Sequence, residues 1–474
     1  MFARGRCSAS ETMRAAVFDM RGTVCRHPLL TVFLAGLILR LLITSLSMVY
    51  DTDYWALVIR NIDSGNGLYG LDGYFYTPVW GYLLALEEWF NASFLGLGES
   101  AVRVSEIVYF ENGDHQTAAT ITSVAFGYLV KLPLALSDLI LAWLCMGAVK
   151  DRTGDGKKAA KAFALVFLSA TVLGSSAIIG MPDTVGAVFM MLCIRLTQKR
   201  LPVLAGVCFS LSVLTKFFPF FIIFPLVAYI LARDRRDIGR GMVQVALSAA
   251  GALIALAVIL APQISDGTVG ECFRFITDRM GISFGDSAGS RLAGAARVAV
   301  FAAIIAVACL VGRRAYRETV SSDDADRALY RYSLAMVTMC MLYPPAAQYL
   351  VAAVPLLACC AAAGDRRFMI SWKLLSIGAA VIFTVSLCTH LMPIAVWTDL
   401  LNVSSLAHFY DVWNAGPGVL TVWNVQFVAG SVVQYMGVLT VLIVIFEAEV
   451  RRYLGGFGCW IADILGGEKD ASED

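Results

Sequence analysis

Charge is what this sequence has least of. Only 15% of its 474 residues are Asp, Glu, Lys or Arg, against 58% hydrophobic residues and a mean hydropathy of +0.72. Soluble domains carry about 25% charged residues, so that balance excludes an ordinary globular protein. Histidine is scarce too: His27, His115, His390 and His408 lie too far apart to suggest a metal centre. No CxxC pair of the kind that binds structural zinc is present. Most of the 12 cysteines, Cys145, Cys193, Cys208, Cys340, Cys359 and Cys360 among them, sit inside apolar runs. They read as small core residues rather than a disulfide framework. The net charge of +1 points to no nucleic-acid partner, because the basic residues are sorted along the chain rather than gathered into a patch.

What is there instead is a series of apolar runs. Spans of about twenty residues are expected near 28–49, 122–149, 159–179, 184–197, 201–216, 217–232, 241–262, 291–312, 332–346, 348–363, 374–396 and 425–447. If the N-terminus is cytoplasmic, 28 of the 37 Lys and Arg fall in cytoplasmic segments, as the positive-inside rule requires. The expectation is therefore an all-α polytopic membrane protein with about twelve spans and both termini inside. The segment Tyr76 to Phe90 is apolar enough to tempt a further span, but one more crossing would invert every later loop. It reads as a helix lying in the outer interface, with Pro78 in its first turn and Glu87 and Glu88 facing water. Residues 1–27 then form a cytoplasmic segment, 28–447 the membrane domain with a long first outer loop at 51–121, and 448–474 a cytoplasmic tail.

Tyr50-Asp51-Thr52-Asp53-Tyr54-Trp55 stands where the first span runs out into water. If the backbone there is extended, Asp51 and Asp53 point to the same side; in a helix they diverge. Acids here suit a general base at the outer face, and they equally suit the solvated end of a span. Inside the spans, Arg40, Lys131 and Asp138 are costly in a bilayer and call for partners. An ion-pair network between the first two spans accounts for Arg40 and Asp138, whereas Lys131 lies nearer the outer side. Lys216 falls at an outer span end among aromatics, where a cation can meet an anionic substrate or simply snorkel. Arg291 and Arg274 are secondary cations on the outer side, Asp183 is an acid at a short outer turn, and Gln348 and Tyr349 open a late span.

The order of motifs resembles the GT-C superfamily of membrane glycosyltransferases, which use polyprenyl-phosphate sugars. Asp51 to Trp55, Gly67-Leu68-Tyr69 and Tyr76-Thr77-Pro78 resemble that family's first outer loop, with Thr77 in place of a proline. Lys131-Leu132-Pro133 with Asp138, Gly180-Met181-Pro182-Asp183, Lys216 to Pro219 and Tyr343 to Tyr349 resemble later family motifs, with Met181 replacing a glutamine. The resemblance implies a GT-C-like bundle with interfacial helices in its first outer loop, in a bacterial plasma membrane. It further implies transfer of a hexose, of the mannosyl type among others, from a polyprenyl-phosphate donor to a glycan, glycolipid or protein hydroxyl, with inversion. Asp53 is the first candidate for the base and Asp51 the second. Lys216, Arg291, Lys131, Asp183, Tyr76, Gln348 and Tyr349 are expected to meet substrate. No cofactor is required, although the Asp-x-Asp leaves a divalent metal open. Two other classes fit the composition: a non-catalytic GT-C-like subunit or lipid-sugar binder, and a secondary transporter. The absence of repeated halves weighs against the transporter.

Overall fold

The computed structural model describes residues 27–47, 50–71, 74, 76–96, 106–112, 115–121, 124–279, 288–321, 324–340, 347–389 and 421–453. The chain opens with α1 (Pro28–Leu46), whose Pro28 occupies the first turn, where a missing N–H breaks no intrahelical bond. Next come α2 (Tyr50–Asp63) and α3 (Pro78–Phe90), the latter continuing into a π turn, Asn91–Leu95. Strands β1 (Glu106–Asn112) and β2 (His115–Ile121) pair antiparallel, with Glu106 opposite Ile121. The long α4 (Val124–Thr153) leads to α5 (Gly156–Phe167), capped by Asp155, whose carboxylate accepts the Lys157 and Lys158 amides at 2.7 and 3.3 Å. The short α6 (Ala170–Leu173) runs into a π turn, Gly174–Ile179.

Helices α7 (Asp183–Gln198) and α8 (Pro202–Val213) follow, then a 3₁₀ turn, Phe218–Ile222, that feeds α9 (Ile223–Arg233). Beyond these lie α10 (Ile238–Ser265), α11 (Val269–Arg279), α12 (Ala288–Ser321) and α13 (Ala325–Cys340). A second 3₁₀ turn, Ala347–Ala352, feeds α14 (Ala353–Ala363); α15 (Phe368–Thr389) and α16 (Val422–Ile445) close the bundle.

Among the described residues, six helical stretches are long and apolar enough to cross a membrane: Pro28–Ser45, Ala125–Thr153, Gly156–Ile179, Ile238–Ser265, Gly294–Ser321 and Asn424–Ile445. Shorter apolar helices, Pro202–Val213, Phe218–Arg233, Ala347–Ala363 and Phe368–Thr384, lie among them. An integral membrane protein follows from these; a count of twelve crossings does not. The long and short helices differ in surroundings. α10 turns Leu253, Ile254 and Val258 outward, each over 60% exposed, as a lipid-facing helix should, whereas Ala353 to Ala362 of α14 are all buried. α8 lies against α10 at glycines: a Cβ on Gly206 would stand 1.9 Å from the Ser248 carbonyl oxygen, and one on Gly251 2.2 Å from that of Val203. Small residues let two backbones meet where lipid gives no hydrophobic drive.

The structure decides between the two cases left open for the acids of α2 and corrects the reading of Glu87. Tyr50–Asp63 is helical, the second of those cases, so positions 51 and 53 lie about 200° apart around an axis at 3.6 residues per turn. The elements among the described residues are helical apart from the β1–β2 hairpin, in keeping with the all-α class. Glu87 does not face water: it is half-buried, and its Oε2 is enclosed without a hydrogen-bond partner. The tails at 1–26 and 454–474 lie outside the described residues.

Candidate active site

The sequence breaks its helices at one end of the bundle, and the breaks meet. α7 has sixteen residues, α8 twelve and α14 eleven, roughly 16–24 Å at 1.5 Å per residue. A bilayer core is about 30 Å thick, so these helices stop short of a full crossing. Backbone that is not helical at such depth persists only where it is buried in protein or lines a cavity. The turn before α7, the 3₁₀ turn before α9 and the 3₁₀ turn before α14 all gather round Lys216.

Lys216 lies just past α8, its amide bonded back to Ser212 O at 3.0 Å. Its side chain is only 8% exposed. Nζ stands 3.5 Å from Asp183 Oδ2, 4.6 Å from the centre of the Tyr76 ring and 5.1 Å from that of Tyr349. A carboxylate and two aromatic faces thus hold one buried cation, each an attraction that strengthens as water is excluded. Asp183 is the first residue of α7, where the positive end of the helix dipole also favours it.

Aromatic side chains tie this cation to α2. The Tyr76 hydroxyl donates to Met181 Sδ at 3.2 Å, and its ring meets Trp55 edge-on at 5.1 Å. Trp55, fully buried, donates from Nε1 to Gly180 O at 2.9 Å and packs on Trp80 at 5.6 Å. Gly180 has φ +69°, a left-handed turn that a side chain would strain, and a Cβ there would meet Thr52 Oγ1 at 3.1 Å. Thr77 bonds the Leu214 carbonyl, so the start of α3 is fastened directly to the end of α8. Met181, where the GT-C motif carries a glutamine, therefore serves as an acceptor for Tyr76.

On α2, Thr52, Trp55, Ala56, Val58 and Ile59 are buried. Asp51 precedes Trp55 by one turn and shares its side of the helix, half-buried. The side chains of Asp53 and of Arg291 on α12 lie outside the described residues. Tyr349 is buried and stacks at 4.4 Å on Phe218, and Gln348 beside it is half-buried. Arg274 is exposed and pairs with Glu271 at 3.2 Å.

Lys131 differs from the expectation of a substrate contact. Fully buried on α4, its Nζ donates to Ser47 O, to Ser47 Oγ at 2.9 Å and to Ile178 O at 2.9 Å. Three protein oxygens match three ammonium protons, so this lysine locks the end of α1 to the π turn before Gly180. Arg40 and Asp138 pair at 2.8 Å between α1 and α4, with Ser176 Oγ donating to the same Asp138 oxygen. This second buried lock is the network that the charges in the first two spans suggested. Trp55, Thr77 and Met181, which position the site, stood in the sequence motifs without a role of their own, because packing between distant segments gives them that role.

Residues 119–345, just under half of the chain, match the model of a GT-C-type family of membrane glycosyltransferases. The family is glycosyltransferase family 87, and the matched stretch holds Lys131, Asp183, Lys216 and Arg291. Tyr76, Gln348, Tyr349 and both acids of α2 lie outside it. A search of curated proteins finds no match to the chain.

Proposed function

We propose that this membrane glycosyltransferase moves one sugar, a hexose such as mannose, from a polyprenyl-phosphate donor to an acceptor hydroxyl at the extracytoplasmic face. The acceptor is a glycan, glycolipid or protein. The observation that carries the reading is the buried Lys216, enclosed by Asp183, Tyr76 and Tyr349 where three broken helices meet. In a single displacement the acceptor oxygen attacks the anomeric carbon, the bond from that carbon to the phosphate oxygen breaks, and the configuration inverts. Negative charge grows on the departing polyprenyl phosphate, and a cation preorganised in a water-poor site stabilises it more in the transition state than in the ground state. Lys216 fills that role, with Arg291 as a second phosphate contact. Asp183 keeps the lysine charged and aimed, and the Tyr76, Tyr349 and Gln348 side chains border the sugar.

An aspartate of α2 takes the acceptor proton. The helical backbone allows only one of the pair to face the Trp55 side, and Asp51 occupies that position. The reading uses no metal, since the lysine supplies the positive charge.

The test substitutes each acid singly in the full chain, reconstituted with a polyprenyl-phosphate sugar. Asp51→Asn is expected to lower transfer by about 10²–10⁴-fold, the usual worth of a general base, while donor binding persists and Asp53→Asn stays near wild type. Loss confined to Asp53→Asn moves the role to that residue. Undiminished transfer in both variants removes the base, and binding without turnover in the native protein favours a lipid-sugar binder.

A further inference from the structure

A cavity of about 550 Å³ opens at the other end of the bundle, and its wall carries Arg152, Arg327, Arg331, Arg366 and Arg367 against a single acid, Asp365. Helix α4 separates the two regions: Lys131 and Arg152 are 21 residues apart on it, roughly 30 Å along the axis. α14 runs the same way, from the turn that holds Tyr349 to the cavity-lining Ala363 and Gly364. By the sorting of basic residues this is the cytoplasmic end.

Three of the guanidinium groups are tethered by carboxylates, all of them except Asp365 outside the cavity wall. Arg152 Nε pairs with Asp324 at 2.8 Å, Arg331 with Glu318 at 3.1 Å, and Arg367 with Glu447 as well as with Asp365. These pairs fix the arginines from outside and leave the wall itself basic. Arg327 and Arg366 are exposed, and among the described residues neither side chain makes an ion pair. Arg331 Nε is buried without a hydrogen-bond partner. Like charges gathered in a concave wall raise the local potential and draw in a counter-ion. Planar guanidinium forks match the oxygens of phosphate in particular, and the volume lies in the range of small-molecule pockets.

We propose that this cavity binds a phosphate-bearing anion, which joins the end of α4 and the start of α13 to the turn between α14 and α15. The ligand chemistry is a phosphate group held by several arginines, from either a soluble phosphate compound or an anionic lipid headgroup. The site is separate from the proposed transfer site and stands whether or not that reading survives.

The test uses the purified full chain and the double variant Arg327→Gln/Arg366→Gln, both of whose side chains are exposed and so leave the packing intact. Thermal unfolding is followed with inorganic pyrophosphate at constant ionic strength, and co-purifying lipid is measured by native mass spectrometry after incubation with phosphatidylglycerol or phosphatidylcholine. A pyrophosphate-dependent rise in Tm of several degrees in wild type, at least halved in the variant, supports the site with a soluble ligand. Selective retention of phosphatidylglycerol, lost in the variant, supports it with a lipid headgroup. No wild-type response in either arm, or an equal response in the variant, overturns the proposal.

Discussion

The two ends of this bundle treat positive charge in opposite ways. At the Lys216 end a single lysine is buried among aromatic rings and one aspartate, and short helices stop around it. At the arginine end five guanidiniums surround an open cavity and are anchored by carboxylates from elements around it. A buried charge with few neighbours is sharply oriented and strongly felt, whereas clustered charges near water are screened and adaptable. Chemistry that stabilises one developing anion calls for the first arrangement; retention of a mobile anion calls for the second.

The largest effect expected from breaking this contrast is at Lys216. Lys216→Met should cut transfer by about 10²–10³-fold, the loss typical of removing one preorganised charge donor. It should also destabilise the fold by roughly 3–5 kcal/mol, because Asp183 is left buried without its cation. Lys216→Met/Asp183→Asn should regain most of that stability and none of the activity. Transfer assays and thermal unfolding on the same preparations separate the two effects. A double variant that still transfers sugar would show that Lys216 is there for the fold alone.

Lys131 sharpens the comparison, because it is a buried lysine with its charge already spent. Lys131→Met removes the lysine's bond to the buried Ser47 carbonyl, at about 1–3 kcal/mol, while the Ile178 carbonyl still accepts from Ser47 Oγ at 2.7 Å. The expected outcome is a lower unfolding temperature with donor KM unchanged in the protein that remains folded. A raised donor KM at full folding would restore Lys131 to the substrate and blur the line between locking and reacting charges.

How much of this was legible beforehand depended on the range of the forces involved. The apolar runs and the one-sided basic residues gave the membrane class, and Pro78 marked the first turn of α3, because these signals are local. Arg40 and Asp138 were legible as partners because each is too costly in a bilayer alone. The helical state of Tyr50–Asp63 was hidden by its polar composition, since tertiary packing of Trp55 against Tyr76, Trp80 and Gly180 holds it in place. The Lys216–Asp183 pair joins two turns that sequence spacing alone does not connect. Its cue was only that both residues stand at outer ends of short spans. The three oxygens around Lys131 were not legible, because hydropathy does not distinguish a lysine facing substrate from one facing carbonyl oxygens.

The smallest effects expected are in the response to pH, and they carry opposite signs at the two ends. On α3, burial without a partner pushes the Glu87 carboxyl well above its ordinary range. The unfolded chain then releases that proton before the folded one does, so stability falls as pH rises from the usual glutamate range toward the raised value. At the arginine end, Asp365 and Glu447 are themselves raised by burial, but hydrogen bonds and charge from Arg367, joined by Arg451 at Glu447, outweigh it and hold both below their ordinary values. Their contribution is complete above the usual carboxylate range and is lost as pH falls through the depressed values. Glu87→Gln should therefore raise Tm at pH 7 and leave it unchanged near pH 4, while Arg367→Gln should lower Tm at pH 7 and flatten the loss on acidification below pH 4. Unfolding curves from pH 3 to 8 in a neutral detergent check both. Parallel pH profiles for the two variants would mean that the ends share one electrostatic environment, against the contrast between a single oriented charge and a screened cluster.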